Sequence, residues 1–174
     1  MADGLTRTER GIPDMSTHDR LMDLLRQRSV EHRVMEHTAM GETRRASEIR
    51  SHPIEYAAKS LVLCICGEDE WDIVGYVLAV VCGHRMVDLA AVAALNGGRS
   101  AYLAETYVAE QLTGCVSGSI APFSFDPCLS VVIDHELLDQ PELVFNAGLL
   151  NKSLFISPQD YVAVAEPAVA RIAV

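Results

Sequence analysis

The stretch Leu61-Val62-Leu63-Cys64-Ile65-Cys66, the insert Gly67-Glu68-Asp69-Glu70-Trp71-Asp72, and the run Ile73-Val74-Gly75-Tyr76-Val77-Leu78-Ala79-Val80-Val81-Cys82 decide the fold. Both runs are rich in branched apolar side chains, which a pleated strand accommodates better than a helix does. The insert carries a glycine and four acids, so it turns the chain in water and joins the runs as an antiparallel hairpin. Neither run alternates apolar with polar residues, which predicts burial on both faces and a central place in the sheet.

Toward the N-terminus, Ser16 and Thr17 can cap a helix with Leu21, Leu24 and Leu25 on one face and Asp19 in its first turn. Residues 31–37 alternate, His32, Val34 and Glu36 against Arg33, Met35 and His37, and suggest a short strand. A second helix covers residues 43–51, and Pro53 begins a further turn that feeds Tyr56-Ala57-Ala58-Lys59 into the first apolar run. Toward the C-terminus, Asp88 caps a helix over residues 89–95 that Gly97-Gly98 ends, and a short helix over residues 105–112 stops at Gly114. A loop over residues 118–127 leads to a strand over 129–133, a helical turn, strands near 143–146 and 153–157, and a last helix from Pro158 through Ala163.

Short helices mixed with hairpin-spaced strands, without regular βαβ alternation, predict an α+β fold: a single compact domain with a curved, mixed, mainly antiparallel sheet and surrounding short helices. A length of 174 residues suits one domain, with residues 1–15 read as a flexible tail and 16–174 as the folded unit.

Charge narrows the function. Against 24 Asp and Glu stand 14 Lys and Arg, a formal charge of -10, which excludes a broad basic face for gripping a duplex. Residues 1–50 hold 9 Arg and 9 acids, whereas residues 51–174 hold 5 basic and 15 acidic groups. A polyanion is therefore expected at the N-terminal third, where Arg44, Arg45 and Arg50 lie close together. The 5 cysteines are odd in number and lack paired CxxC spacing, so reduced, mostly buried thiols are expected. The histidines show no HExxH, and neither GxxxxGK[ST] nor GxGxxG occurs, so no metal and no nucleotide cofactor is expected. Asp134-His135-Glu136 reads as helix capping rather than part of a catalytic triad. No signal-peptide core stands at the N-terminus, and the longest apolar stretch, over residues 74–82, is too short to cross a bilayer. The expectation is a soluble cytoplasmic protein with no membrane partner.

Three features could carry chemistry. Lys59 stands at the entry to the first apolar run, where its stem can lie on the core while its ammonium reaches a carbonyl or phosphate; a lysine snorkelling from a strand edge is the plainer account. Gly118-Ser119-Ile120-Ala121-Pro122 allows close backbone approach at the glycine and extended geometry before the proline, so its N–H groups could converge on an oxygen; a plain loop would look the same. Phe145-Asn146-Ala147-Gly148 ends a strand in an amide and a glycine, which also fits an Asn turn.

Taken in order, Ala57-Ala58-Lys59-Ser60-Leu61-Val62, the passage around Val87-Asp88-Leu89, Leu112-Thr113-Gly114, Gly118-Ser119-Ile120-Ala121-Pro122-Phe123 and Phe145-Asn146-Ala147-Gly148 resemble the YbaK/prolyl-tRNA-synthetase-associated domain family over residues 17–170. The resemblance implies a compact α+β editing domain that hydrolyses the ester of mischarged aminoacyl-tRNA, carrying a small noncognate amino acid, on tRNA for proline. It implies Lys59 as the catalytic lysine, Gly118, Ser119, Ile120, Ala121 and Pro122 as the substrate loop, Asn146, Ala147 and Gly148 as the turn beside the pocket, and His37 and Ser153 as further pocket positions. Members often have Thr at Ser60 and an acid at His84. The implied partners are the acceptor end of aminoacyl-tRNA and an aminoacyl-tRNA synthetase, with no cofactor and no metal. The mechanism it suggests has the amides of residues 119–121 holding the aminoacyl group, Lys59 anchoring the terminal phosphate or polarising the carbonyl, and water attacking with help from the substrate's own ribose hydroxyl. The alternatives are a non-catalytic module binding the tRNA end or a synthetase, and a hydrolase of small amino-acid esters.

Overall fold

The Ser16 hydroxyl accepts the Asp19 N–H at 3.1 Å and starts α1 (Thr17–Gln27), whose Leu21 and Leu25 are fully buried. The computed structural model describes residues 15–174, so the tail expected over residues 1–15 lies outside the described residues except for Met15. The chain continues through β1 (His32–Glu36), α2 (Thr43–Arg50), one tight helical turn (Ile54–Tyr56), β2 (Ala58–Cys66) and β3 (Ile73–Cys82). There follow α3 (Leu89–Leu95), β4 (Ser100–Leu103), α4 (Thr106–Thr113), β5 (Leu129–Asp134), α5 (His135–Leu138), β6 (Leu143–Asn146), β7 (Lys152–Ile156), α6 (Pro158–Ala165) and β8 (Ala168–Ala170).

The hairpin forms as its sequence predicts, with β2 and β3 antiparallel from Ala58↔Cys82 to Cys66↔Ile73. It is central in a five-stranded sheet of order β4-β2-β3-β5-β8. Strand alternation sends Ala58, Val62, Leu78 and Val80 to one core with Leu21, Leu25 and Phe145, and Leu63, Ile65, Val77, Ala79 and Val81 to another with Val92 and Ala93 of α3. At the tip Ile73 and Val74 are exposed beside the acidic turn, and at the other end Lys59, Ser60 and Leu61 are only partly buried.

Two details depart from expectation. The sheet is divided: β1-β7-β6 forms a second, three-stranded sheet that shares a core with the first and, among the described residues, is hydrogen-bonded to it through one parallel bridge, Ala57↔Val144. Strands β4 and β8 have no counterpart in the sequence reading. Among the described residues β3 with β5 and β5 with β8 are parallel and the other four strand pairings antiparallel, so the mixed, mainly antiparallel character holds. No described helix is long and apolar enough to cross a membrane.

This division positions the site. On its outer side β2 is covered by β4 over Leu63 to Cys66 alone, and β6 is the edge of the smaller sheet. Beyond the Ala57–Val144 bridge the two edges part.

Candidate active site

A cavity of about 340 Å³ opens where the edges separate. The start of β2 (Ala58, Lys59, Ser60, Leu61) forms one wall, β6 (Val144, Phe145, Asn146) the facing wall, Gly41 to Thr43 with Ala46 and Arg50 of α2 one flank, and Gly118 with Ile120 the other. Segments far apart in sequence thus meet at one opening.

Lys59 is the second residue of β2, at the entry to the apolar run where the sequence places it. It borders the cavity half-buried, and its ammonium donates to the Arg85 carbonyl. Burial lowers its pKa, since desolvation disfavours the charged form. Arg85 in turn makes a forked ion pair with Glu136, at 2.9 and 2.5 Å.

Facing it lies a group that sequence reasoning assigned elsewhere. Arg50, expected on a surface patch with Arg44 and Arg45, is instead buried: its Nε donates to Ser153 Oγ and its Nη2 to Asn146 Oδ1, both at 2.7 Å. Both partners are neutral, and among the described residues no carboxylate pairs with the guanidinium. Desolvation consequently lowers its pKa to about 10. Two of its five N–H donors are used in these bonds, leaving a fixed positive charge with spare donors at the cavity wall. The signal in the sequence was periodic: Thr43, Ala46, Ser47 and Arg50 share one helical face, but a period search on hydrophobicity counts arginine as solvent-facing. Arg44 and Arg45 remain exposed, and Arg45 pairs with Glu42 at 3.0 Å.

Asn146 holds the frame together. Its Nδ2 donates to Met40 O and Gly118 O, each at 2.8 Å, while Oδ1 accepts from Arg50, so one amide ties α2, the segment before it and the glycine loop to β6. Ser153 and His37 lie behind this layer, with His37 Nε2 2.6 Å from Ser153 Oγ and Nδ1 2.8 Å from Thr38 O. Neither borders the cavity; both steady Arg50 from the rear.

The glycine loop contributes less than its sequence suggested. Gly118 sits at φ +87°, and a Cβ there would lie 2.7 Å from Gly41 Cα, so two glycines allow the loop and the segment before α2 to touch backbone to backbone. The Ser119 N–H donates to Val116 O at 3.0 Å, and Ala121 is buried away from the cavity. Of the three amides expected to face a substrate, Ile120 alone borders the cavity, and among the described residues its N–H meets no acceptor. Pro122 is buried, its carbonyl accepting from Tyr161 Oη at 2.7 Å. Ala147 and Gly148 are structural as well: the Ala147 carbonyl meets His18 Nδ1 at 2.7 Å, and Gly148, at φ +77°, donates to Ser119 O at 3.1 Å.

The arrangement offers two cations, Lys59 and Arg50, the main chain of Ile120, and walls of small and apolar side chains; among the described residues the one carboxylate that borders the cavity is that of Glu42, exposed and paired with Arg45 at 3.0 Å. Such a site can hold an ester carbonyl and stabilise the oxyanion that develops on it.

The chain matches the family model described as an aminoacyl-tRNA editing domain over residues 37–164. It is 40% identical over 152 residues to the multifunctional Ser/Thr-tRNA deacylase ProXp-y of Escherichia coli strain K12, covering 87% of this chain and 89% of that protein. Two solved structures share the fold. One, described only as a hypothetical protein, has a TM-score of 0.78 at 20% identity, covering 89% of this chain and 99% of its own. The other, a candidate trans-editing enzyme for prolyl tRNA synthetase, has a TM-score of 0.75 at 24% identity, covering 92% and 98%.

Proposed function

The chain belongs to the aminoacyl-tRNA editing domain family and is an aminoacyl-tRNA deacylase; we propose that its substrates carry serine or threonine and that the ester is cleaved in the cavity where the sheets part. The observation that supports the assignment to this site is that Lys59 and Arg50, which no carboxylate pairs among the described residues, border one opening. The choice of amino acid rests on the 40% identical relative, named as a Ser/Thr-tRNA deacylase.

The aminoacyl ester enters between the β2 and β6 edges. Its carbonyl oxygen takes hydrogen bonds from the Ile120 N–H and the free N–H groups of Arg50, which strengthen as negative charge grows in the tetrahedral intermediate. Lys59 leaves the Arg85 carbonyl or shares it, and its remaining donors meet the phosphate of the terminal nucleotide. Water attacks the carbonyl carbon, the substrate's neighbouring ribose hydroxyl relays the proton, and the ester oxygen leaves as the other hydroxyl of the same ribose. The chain supplies binding, orientation and charge.

Family membership sets aside the reading as a non-catalytic module. The partner is the acceptor end of a tRNA, with tRNA for proline as the carrier and prolyl-tRNA synthetase as the protein beside which the enzyme works. The test is a deacylation panel: Ser, Thr, Ala, Cys and Pro on tRNA for proline and on one other tRNA, with and without the synthetase, alongside free seryl and threonyl esters. Lysine-dependent hydrolysis of seryl- or threonyl-tRNA is the expected result. Equal rates on the free esters would assign the site to small-ester hydrolysis instead.

A further inference from the structure

Among the described residues, Arg50 is a buried cation without an anion. It is 6% exposed, and its Nε and Nη2 donate to Ser153 Oγ and Asn146 Oδ1, both neutral. The third nitrogen, Nη1, bonds to no described residue, yet it is not sealed: the described side-chain nitrogens and oxygens that lack both a partner and accessible surface belong to Ser47, His52, Ser60 and His135. Nη1 is therefore open, on a residue that borders the cavity. Charge around that opening is mostly of one sign. Lys59 adds a second cation, and the first turn of α2 at Thr43, which no side chain caps, adds the positive end of a helix. Against these stands the Glu42 carboxylate, exposed and already paired with Arg45 at 3.0 Å.

Uncompensated positive charge in a largely buried wall suits an anion better than a neutral carbonyl, because a hydrogen bond from a guanidinium to a carboxylate is charge-assisted at both ends. Ester hydrolysis makes such an anion in place. Water adds to the carbonyl carbon and the ester C–O bond breaks; one proton of the water goes to the ribose oxygen and the other to solvent, so the amino acid is left as a carboxylate. One of its oxygens is the former ester carbonyl, still beside the donors that held it.

We propose that Arg50 makes this cavity a binding site for the carboxylate of a small free amino acid, so that the deacylase holds its own product and is inhibited by it. The proposal rests on the reading of the cavity as the deacylation site. It adds to that reading a ligand of different charge from the ester, an amino acid whose carboxyl group is free. Burial lowers the Arg50 pKa only to about 10, so the guanidinium keeps its charge at neutral pH.

The experiment follows thermal unfolding and seryl-tRNA deacylation of the full chain with added L-serine, 3-hydroxypropionate, L-serinamide or inorganic phosphate at matched ionic strength, in the wild type, Arg50→Met and Arg50→Lys. L-Serine and 3-hydroxypropionate, which carry the carboxylate, should raise the wild-type Tm and inhibit competitively; L-serinamide, which lacks it, should do neither. In Arg50→Met the inhibition constant of L-serine should rise roughly tenfold or more, the effect of losing a hydrogen bond between charged groups, and Arg50→Lys should keep part of the binding. Equal effects of L-serine and L-serinamide, inhibition by L-serine that survives Arg50→Met, or a wild-type Tm that neither carboxylate moves each overturn the proposal, and the wild-type comparisons stand even where Arg50→Met fails to fold. A Tm rise larger with phosphate than with L-serine makes the cavity a phosphate site and overturns it too. Hydrolysis of seryl-tRNA without carboxylate binding sinks the proposal alone, whereas carboxylate binding by a chain that deacylates no aminoacyl-tRNA overturns the reading of the cavity as a deacylation site and the ligand's role as product.

Discussion

The two walls of the cleft differ in how much of their hydrogen-bonding capacity is spent. On the β6 side, Asn146, Arg50, Ser153 and His37 bond to one another and to backbone carbonyls through contacts of 2.6 to 2.8 Å. On the β2 side, the Lys59 ammonium has one carbonyl partner. A saturated wall is rigid and an unsaturated one is waiting for a ligand. The first should therefore be felt mainly in stability and the second mainly in rate, with Arg50 belonging to both.

That contrast is open to direct attack, and its largest expected effect is on the open wall. Lys59→Ala should slow deacylation about 100-fold or more, equivalent to roughly 3 kcal/mol of transition-state stabilisation. Its Tm should stay close to wild type, because one half-buried ammonium on one carbonyl holds little of the fold; a large drop in Tm with normal turnover in the folded fraction would reverse the roles of the walls. Gly118→Ala tests the backbone contact between loop and helix segment: a positive φ together with a Cβ 2.7 Å from Gly41 Cα should cost about 2–3 kcal/mol, read by chemical denaturation. Arg50→Met should lower stability by about 2 kcal/mol, since Asn146 Oδ1 and Ser153 Oγ lose a donor, and should lower kcat as well. A pure stability effect there would remove Arg50 from the chemistry and leave it a positioning residue.

Smaller effects sharpen the picture. Ser153→Ala removes a buried hydroxyl that joins Arg50 to His37, and should cost about 1 kcal/mol while changing kcat only a few-fold. The salt dependence of tRNA binding should be shallow, because Arg50 is buried and Arg45 already pairs with Glu42, which leaves few cations near α2 for phosphates. A steep slope, equivalent to five or more released counterions, would place a basic surface somewhere outside this cleft.

Much of this protein was legible in its sequence because the relevant forces are local. The two apolar runs around an acidic turn dictate a buried hairpin, since branched side chains on both faces leave no solvated side. Ser16 and Asp88 start helices by accepting their N–H groups, a chemistry confined to a few residues. Lys59, Gly118, Ile120 and Asn146 could be singled out by residue type and order, and all four border the cavity.

Tertiary structure decided what those residues meet. Only the folded chain separates the sheets beyond Ala57 and Val144 and so opens the cavity, because strand edges find or lose partners across the whole chain. It also turned Arg50 inward to Asn146 and Ser153, residues about a hundred positions away, where no helical period could reveal them. The same applies to the loop amides: Ser119 and Ala121 look as free as Ile120 in sequence, and only the folded chain settles that Ile120 is the one of the three that borders the cavity. Residue type and local period determine which elements form and which groups are chemically able. Which of those groups stay unsatisfied, and hence available to a substrate, depends on long-range packing that assigns partners to all the others.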